Sequence, residues 1–209
     1  MPAQPQPVRI EMVLDVICAA SYIGYTRLAK AVAKHRASGG DVEFAFSPFQ
    51  LAPEATGEGE PLLDALREVF GEEAAAHTTQ VAADAVRDGL ELNYDRAIAT
   101  STFGAHHLIA VASGQGKGEE AVERLFRAHF TDGLNIGDPA VLAALAEELG
   151  VIVREPAGEA LQAELDRVRR LGVRGVPVFA FSAGPTVTGT QSEDFFRQIL
   201  VKSSNSSVN

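Results

Sequence analysis

The chain has 209 residues, of which 46% are hydrophobic and 22% charged, and its formal net charge at pH 7 is −10. This is the composition of an ordinary globular protein, long enough for one domain or for one domain with a large insertion. The acidic balance argues against nucleic acid as a partner, because phosphate recognition needs clustered lysine and arginine. The apolar runs are shorter than the roughly 20 residues of a membrane span, so no membrane association is expected.

The sequence contains one cysteine, Cys18. A single cysteine cannot close an internal disulfide and provides no cysteine-based zinc site, and the five histidines follow no metal-ligand pattern, so no metal is expected. Residues 1–7 carry no positive charge and several prolines, which makes them a poor export signal. A cytoplasmic location is therefore the default expectation.

The first fifty residues show a β-α-β pattern. Residues 8–16 alternate roughly between apolar and polar side chains and predict a strand. Residues 21–37 carry apolar side chains at spacings of three and four and predict a helix, which Gly39 ends. Residues 41–46 predict a second strand. A helix between two strands implies a crossover connection and therefore a parallel pair.

The middle of the chain, from residue 61 to residue 171, is mostly helical in its pattern. Pro61 is expected at the first helical position, and Gly71 separates the first helix from the second. Asp138 followed by a proline is a typical helix start. After the first, the predicted helices lie at residues 72–88, 95–112, 119–130, 139–150 and 158–171.

Strands return only near the end of the chain. Residues 177–181 and 186–188 predict two short strands joined by a turn, and Ser192 is placed to cap a last helix that runs to about Leu200. Because the predicted strands lie on both sides of the helical block, one compact α/β unit is expected instead of two tandem domains.

Cys18 lies where the first strand gives way to the helix. A thiol at a helix N-terminus faces unpaired backbone N–H groups and the positive end of the helix dipole, and both favour the thiolate. Ser21 lies three residues later and either hydrogen-bonds that thiolate or satisfies a backbone N–H of the first turn. The pattern indicates a monothiol active site with Cys18 and Ser21 as its catalytic residues, and a buried inert thiol is the alternative.

Several stretches together carry a family resemblance: residues 15–24, 48–53, 103–108, 126–130, 136–139, 172–177 and 189–191. They resemble the DsbA-like branch of the thioredoxin superfamily, in particular the FrnE-type proteins. That branch is close to 2-hydroxychromene-2-carboxylate isomerases and kappa-class glutathione transferases. The resemblance implies an α/β, thioredoxin-like fold with a large all-helical insertion. Its expected parts are an N-terminal half (1–55), the insertion (56–171), a C-terminal half (172–202) and a disordered tail (203–209).

The chain departs from the family at the junction itself. FrnE-type proteins usually carry Cys-Pro-Trp-Cys there, whereas this chain has Cys18-Ala19-Ala20-Ser21. Dithiol exchange needs a second thiol to resolve the mixed disulfide, so disulfide oxidase activity is in doubt. The resemblance also implies that Pro177 follows a cis peptide bond, which is uncommon, and that Val176 offers its backbone to an extended ligand beside the sulfur.

Further substrate-binding side chains are expected around the sulfur. Phe49 and Gln50 follow the second strand on a loop that should border the pocket, and Tyr22 could reach the cleft from the helix. His106 and His107 are about 100° apart on a helix, so we expect one of them to face the site and the other to lie at the surface or in packing. Packing is the alternative role of Tyr22 and Phe49.

These observations favour an enzyme that uses Cys18 as a covalent nucleophile without redox chemistry. Cis–trans isomerisation fits, because adding a thiolate to a conjugated alkene makes the double bond a rotatable single bond, and expelling the thiolate restores it. Since FrnE-like proteins occur in polyketide pathways, the resemblance implies a polyene or polyketide-type substrate, either a small molecule or carrier-bound. No cofactor is required by this scheme.

Two other functions stay open at this point. The first is a thiol oxidoreductase or glutathione-transferase-like enzyme that works with an external low-molecular-weight thiol such as glutathione or mycothiol. The second is a binding module without redox activity. A homodimer formed through an apolar helix such as that at residues 138–150 is also left open.

Overall fold

The structure is a computed structural model, and it describes residues 7–155 and 158–206. The strands are β1 (Val8–Leu14), β2 (Val42–Pro48), β3 (Glu60–Pro61), β4 (Ile98–Ala99), β5 (Val178–Phe181) and β6 (Thr186–Thr188). The helices are α1 (Ala19–Ala37), α2 (Leu62–Phe70), α3 (Glu72–Ala85), α4 (Phe103–Gly114), α5 (Gly118–Phe130), α6 (Pro139–Glu148), α7 (Glu159–Arg170) and α8 (Glu193–Ser206).

The main sheet has the strand order β2-β1-β5-β6. β1 and β2 are parallel, as the β-α-β pattern predicts, while β5 is antiparallel to β1 and β6 is antiparallel to β5. Ile10 and Met12 on the central strand β1 are fully buried, since helices cover the sheet. This arrangement confirms the thioredoxin-like α/β fold with a helical insertion.

Helix α1 places the cysteine against the C-terminal half of the fold. It begins directly after Cys18 and ends before Gly39, whose φ of 85° is readily adopted only by glycine. A Cβ atom at Gly24 would lie 3.0 Å from the ring of Phe179 and 3.3 Å from that of Pro177. Glycine at this position therefore lets α1 lie close to β5 and to the proline that precedes it.

The helical insertion differs from the prediction in two places. The helix predicted at residues 95–112 begins only at Phe103, because the preceding residues are held in other hydrogen bonds. Asn93 closes a turn by accepting from the N–H groups of Arg96 and Ala97, and the short strand β4 then pairs with β3. Pro61 belongs to β3 and stands just before α2 instead of at its first helical position.

The C-terminal helix α8 is longer than predicted. It continues to Ser206, so residues 203–206 are helical and the prediction of a disordered tail is wrong there, whereas residues 207–209 lie outside the described part of the chain. Ser203 is buried, and its hydroxyl donates a hydrogen bond to the carbonyl of Ala183. Among the described helices, none is long and apolar enough to cross a bilayer.

The junction between the sheet and the insertion is packed by helices from both parts. α4 and α7 contact β2, α5 contacts α1, and α8 contacts both α1 and β1. At the start of α1, Tyr22 stacks on Phe126 with ring centroids 4.8 Å apart and on Phe130 at 6.0 Å. Both phenylalanines are fully buried on α5, so this aromatic stack ties the insertion to the cysteine-bearing helix.

Candidate functional site

Cys18 occupies the N-cap position of α1, as its place in the sequence predicts. Its backbone has φ −94° and ψ 109°, an extended conformation that turns the chain from the loop into the helix. Its N–H donates to the carbonyl of Asp15 at 3.0 Å, and its own carbonyl accepts from the N–H of Tyr22 at 3.0 Å. The residue as a whole is partly exposed.

The sulfur lies at the loop that precedes β5. The Val176–Pro177 peptide bond is cis, as expected from the resemblance. The Cys18 thiol donates to the carbonyl of Val176, with Sγ and the oxygen 3.7 Å apart. Among the described residues, the N–H of Val176 has no hydrogen-bond acceptor. The backbone beside the sulfur therefore presents one carbonyl and one unused N–H.

The ionisation of Cys18 differs from the expectation. Burial raises the pKa of the Cys18 thiol, and the negative charge of Asp15 raises it further. The hydroxyl and N–H of Ser21 and the N–H of Ala20 lower it, as predicted for a helix N-terminus, but they do not outweigh burial. The expectation of a stabilised thiolate is therefore wrong for the resting protein, in which Cys18 is a protonated thiol at neutral pH.

Ser21 is fully buried beside the sulfur. It makes no side-chain capping bond, and its Oγ has no partner with acceptable hydrogen-bond geometry among the described residues. The same hydroxyl lies near enough to Cys18 to lower the pKa of the thiol. Of its two predicted roles, the structure supports the influence on the sulfur and shows no capping of the helix.

Of the two adjacent histidines, His106 points toward the site. Its Nε2 lies 2.9 Å from the carbonyl oxygen of Phe49 and 3.3 Å from Oδ1 of Asp15. The hydrogen-bond geometry is satisfied only toward Phe49. Nε2 of His107 lies 2.9 Å from the carbonyl of Glu155 instead. Both histidines nevertheless contribute to the wall of one cavity of about 390 Å³, which Cys18 does not line.

The loop after β2 is fixed by these buried polar groups. Asp15 Oδ2 accepts from the N–H of Leu51 at 2.8 Å, and His106 holds the carbonyl of Phe49. The Phe49 side chain packs near Val13, and Gln50 is half-buried on the same loop. Tyr22 is buried in its aromatic stack, and Phe49 packs against the apolar cluster that contains Val13. Both side chains therefore have packing roles. The hydrogen bonds of Asp15 and His106 to the backbone of Leu51 and Phe49 therefore fix the position of this loop.

Three further residues of this region, Asp15, His129 and Tyr94, were not among the predicted site residues. Asp15 is fully buried just after β1, and its Oδ1 has no hydrogen-bond partner among the described residues. His129 is fully buried on α5, and burial lowers its pKa to about 4, with the Asp15 carboxylate acting in the opposite direction. The pKa of Tyr94 is raised by burial and then by the negative form of Cys18, which places Tyr94 near the sulfur.

The sequence held a signal for two of these three residues. Asp15 and His129 both fall within stretches that carry the family resemblance, although only the fold buries them. Tyr94 stands in an irregular segment before α4, where no periodicity marks it. Within the described part of the chain, no group of three or more His, Cys, Asp or Glu side chains is arranged to hold a metal ion.

The model of the DSBA-like thioredoxin domain matches residues 9–201 of the chain, which include both halves of the fold and the insertion. The chain belongs to this family. The solved structure of a protein described as a probable DsbA oxidoreductase, from Streptomyces coelicolor, matches this family member with 28% identity and a TM-score of 0.81. The match covers 94% of this chain and 89% of that one.

Other proteins that this DsbA-like protein resembles carry different functional descriptions. The uncharacterized protein YwbO of Bacillus subtilis (strain 168) is 28% identical over 148 residues, which are 69% of this chain and 67% of that protein. The cytosolic disulfide reductase DsbM of Pseudomonas aeruginosa, solved with GSH, shares the fold with a TM-score of 0.63 and 21% identity, over 93% and 98% of the two chains. The solved structure of a 2-hydroxychromene-2-carboxylate isomerase shares the fold with a TM-score of 0.64 and 15% sequence identity. The match covers 95% of this chain and 94% of that chain.

Proposed function

We propose that this DsbA-like protein is a monothiol enzyme that isomerises a conjugated double bond by reversible addition of Cys18. The observation that carries the proposal is the position of the only sulfur-bearing nucleophile of the chain. Cys18 lies 3.7 Å from the Val176 carbonyl, and buried Ser21 stands where a second thiol would be needed for disulfide exchange.

The ionisation of Cys18 argues against an oxidase. A DsbA-type oxidant is strong because its reduced form is stabilised, which requires a cysteine with a lowered pKa. Burial and Asp15 instead raise the pKa of Cys18. A thiolate that is poorly stabilised is a better nucleophile toward carbon once its proton has been removed, which suits addition to an alkene.

The reaction conserves atoms and electrons without an oxidant. The sulfur of Cys18 loses its proton and bonds to the β-carbon of an alkene conjugated to a carbonyl, and the π electron pair moves to the carbonyl oxygen. The former double bond rotates as a single bond. The electron pair then returns, the carbon–sulfur bond breaks, and the sulfur recovers its proton. Neither step needs a second cysteine.

The backbone beside the sulfur supports an extended substrate. A ligand lying along Val176 can accept from its free N–H and donate to its carbonyl, which the resting thiol occupies. Occupying that carbonyl removes the hydrogen bond that holds the thiol proton. An elongated polyene or polyketide-type substrate, free or attached to a carrier through an amide-containing arm, matches this geometry.

A second candidate is an oxidoreductase or transferase that uses an external small thiol. The free N–H of Val176 beside the sulfur favours it, since a peptide-like thiol such as glutathione could pair there and replace the missing cysteine. Either candidate would act in the cytoplasm, which the description of the relative DsbM as cytosolic supports.

The test follows a conjugated polyenone of defined geometry by chromatography and the protein by intact mass. We expect the wild-type protein to convert the geometric isomers and Cys18→Ala to lose all activity above background. His77→Gln, at an exposed position on α3, is the matched control and should behave as wild type.

Three results would contradict the isomerase. Full isomerisation by Cys18→Ala excludes a covalent role of the sulfur. A glutathione-mass adduct on Cys18 that is consumed during turnover, without isomerisation, supports the small-thiol enzyme. Substrate binding that is unaffected by Cys18→Ala, with no turnover by either protein, indicates a binding module.

A further inference from the structure

A cleft adjoins the loop whose backbone contacts Cys18. It has a volume of about 480 Å³ and lies between residues 171–178 and the edge strand β6, from which Thr186 and Thr188 line it. This volume is within the range of small-molecule sites. Cys18 does not line the cleft, but Val176 does, and the carbonyl of Val176 is the group that the thiol contacts at 3.7 Å. The cleft and the sulfur therefore share Val176.

The cleft has a large apolar part. Leu171, Val173 and Val178 line it, and Leu171 leaves 63% of its surface exposed. Apolar side chains left open at a concave surface favour an apolar ligand, because covering them removes apolar surface from water. An elongated hydrocarbon chain is a ligand of this kind.

Arg174 is the one charged residue among the described residues that line the cleft. Most arginines in the described part of the chain pair with a carboxylate, such as Arg27 with Asp88 and Arg124 with Asp132. Arg174 forms no ion pair with any residue that the structure describes. A guanidinium binds the two oxygens of a carboxylate or phosphate through parallel N–H bonds. In a chain of net charge −10, an unpaired arginine in an apolar cleft therefore favours an anionic ligand.

The backbone of the same loop supplies further donors. The N–H groups of Arg174 and Gly175 have no hydrogen-bond acceptor among the described residues. A Cβ atom at Gly175 would meet no atom within 4 Å, so this part of the backbone faces open space. Hydrogen bonds from N–H groups to an anion are stronger than those to a neutral acceptor. The loop can thus hold an anion with main chain and side chain together, while the N–H of Val176 remains for the rest of the ligand.

We propose that this cleft binds the anionic end of an elongated conjugated substrate, and that Arg174 is the residue that determines this specificity. The proposal rests on the covalent role of Cys18 proposed above. Two residues of chain span at most about 7 Å, so Arg174 and Val176 can contact two parts of one small molecule. The anion lies at Arg174, the apolar surface of the cleft covers the chain beside it, and the alkene reaches Cys18 past Val176.

The anion has one of two chemical sources. It is the carboxylate of a free polyene acid, or the phosphodiester of an arm that attaches the polyene to a carrier. Both are monoanions with paired oxygens that fit a single guanidinium. An uncharged polyene would leave Arg174 without a partner, so the proposal narrows the substrate class to anionic molecules.

The test measures how fast Cys18 adds to three maleimides that differ at the far end of a hexyl chain. They are maleimidohexanoate, its methyl ester, and the methyl phosphodiester of maleimidohexanol. In each reaction the sulfur bonds to one alkene carbon and the other takes up a proton, so no oxidant is needed. Intact mass gives the rate and confirms the adduct on the single cysteine. Isomerisation plays no part, so the result is independent of the polyenone assay.

We expect the wild-type protein at low ionic strength to react with at least one anionic maleimide about tenfold faster than with the ester, as one hydrogen bond to a charged group allows. Added salt should reduce this preference. Arg174→Gln should abolish it while keeping the wild-type rate with the ester, and the exposure of Arg174 means that the variant should fold. Arg170→Gln is the matched control, since it removes an exposed arginine at the end of α7 that does not line the cleft, and it should keep the preference.

The faster anionic maleimide identifies the source of the anion. A faster carboxylate supports a free polyene acid, a faster phosphodiester supports a carrier arm, and equal acceleration supports a site for either. Absence of any preference in the wild type would overturn the anion site. A preference that survives in Arg174→Gln, or that Arg170→Gln lowers equally, would overturn the role of Arg174.

Failure of the proposed function gives a different result. If Cys18 reacts with none of the maleimides, the nucleophile is excluded, and calorimetric titration with sorbate and sorbamide tests the cleft alone. Sorbate should then bind more tightly than the neutral amide to the wild type but not to Arg174→Gln, and equal binding to the wild type would overturn the site. If the anion preference is found while the polyenone is not isomerised, the inference stands and the isomerase does not.

Discussion

Two buried regions lie side by side where α1 meets α5, and they are constructed in opposite ways. The aromatic stack of Tyr22, Phe126 and Phe130 is apolar and closely packed. The polar cluster of Asp15, Ser21 and His129 is equally buried, but four of its polar atoms have no hydrogen-bond partner in the described part of the chain. The first region stabilises the junction between the two parts of the fold. The second lowers stability, because burying an unpaired polar atom costs free energy.

The largest effect is expected from the aromatic stack. Phe126→Ala removes a fully buried ring that contacts both Tyr22 and Tyr25, so the free energy of unfolding should fall by about 3–5 kcal/mol. Denaturant titration measures it, with Phe126→Leu as the control that keeps most of the volume and should lose much less. A loss below about 1 kcal/mol for the alanine variant would show that the stack is not what holds the junction together.

The next effect is the response of the polar cluster to acid. His129 binds a proton near pH 6.5 in the unfolded chain but only near pH 4 in the folded protein. Between these values the unfolded state binds more protons, so stability is complete above pH 6.5 and falls as the pH drops toward 4, by about 3 kcal/mol in total.

Denaturant titrations at several pH values compare the wild type with His129→Leu. The variant should lose this component of the acid sensitivity, while His77→Gln at an exposed site should keep it. Equal pH dependence of the wild type and His129→Leu would mean that the ring is solvated or paired in the folded protein, and the contrast between the two buried regions would disappear.

A smaller effect is expected from the charge of the polar cluster. Asp15→Asn removes the negative charge that raises the pKa of Cys18 while keeping an oxygen for the N–H of Leu51. The midpoint of thiol alkylation against pH should therefore move to a lower pH. A midpoint that stays in place would show that Asp15 does not act on the sulfur electrostatically.

An effect of opposite sign is expected from the hydroxyl of Ser21. Ser21→Ala removes a group that lowers the pKa of Cys18, so the alkylation midpoint should move to a higher pH, opposite to Asp15→Asn. The backbone N–H groups of Ala20 and Ser21 remain in the variant and limit the change. A midpoint that moves to a lower pH would contradict the placement of the hydroxyl beside the sulfur.

Most of the fold could be predicted from local pattern and family resemblance. The parallel β1–α1–β2 unit, the helix start at Asp138 and the cap of α8 by Ser192 all follow from the spacing of apolar side chains and from the residues at helix ends. The prediction was wrong at residues 95–102. There, pairing of β4 with β3 and a turn at Asn93 override a helical pattern, and both contacts involve partners outside the segment.

The candidate site could be predicted in part. The position of Cys18 at a helix start and beside the Val176–Pro177 bond followed from the sequence and the resemblance. Its protonation did not, because the helix end favours the thiolate locally while burial by distant segments opposes it more strongly. For the same reason His129 was not among the predicted site residues, since nothing in its own helix shows that it will face a buried carboxylate.

The sequence by itself determined which chemistry is available to this protein. One sulfur at the start of a helix, with a serine in place of the partner thiol, is a property of composition and spacing. Only the tertiary structure decided how that sulfur behaves, because the pKa of Cys18 is raised by burial and by the charge of Asp15, and the segments that bury it come from separate parts of the chain. Electrostatic energies depend on distance through space and on exclusion of water, and neither can be read from order along the chain.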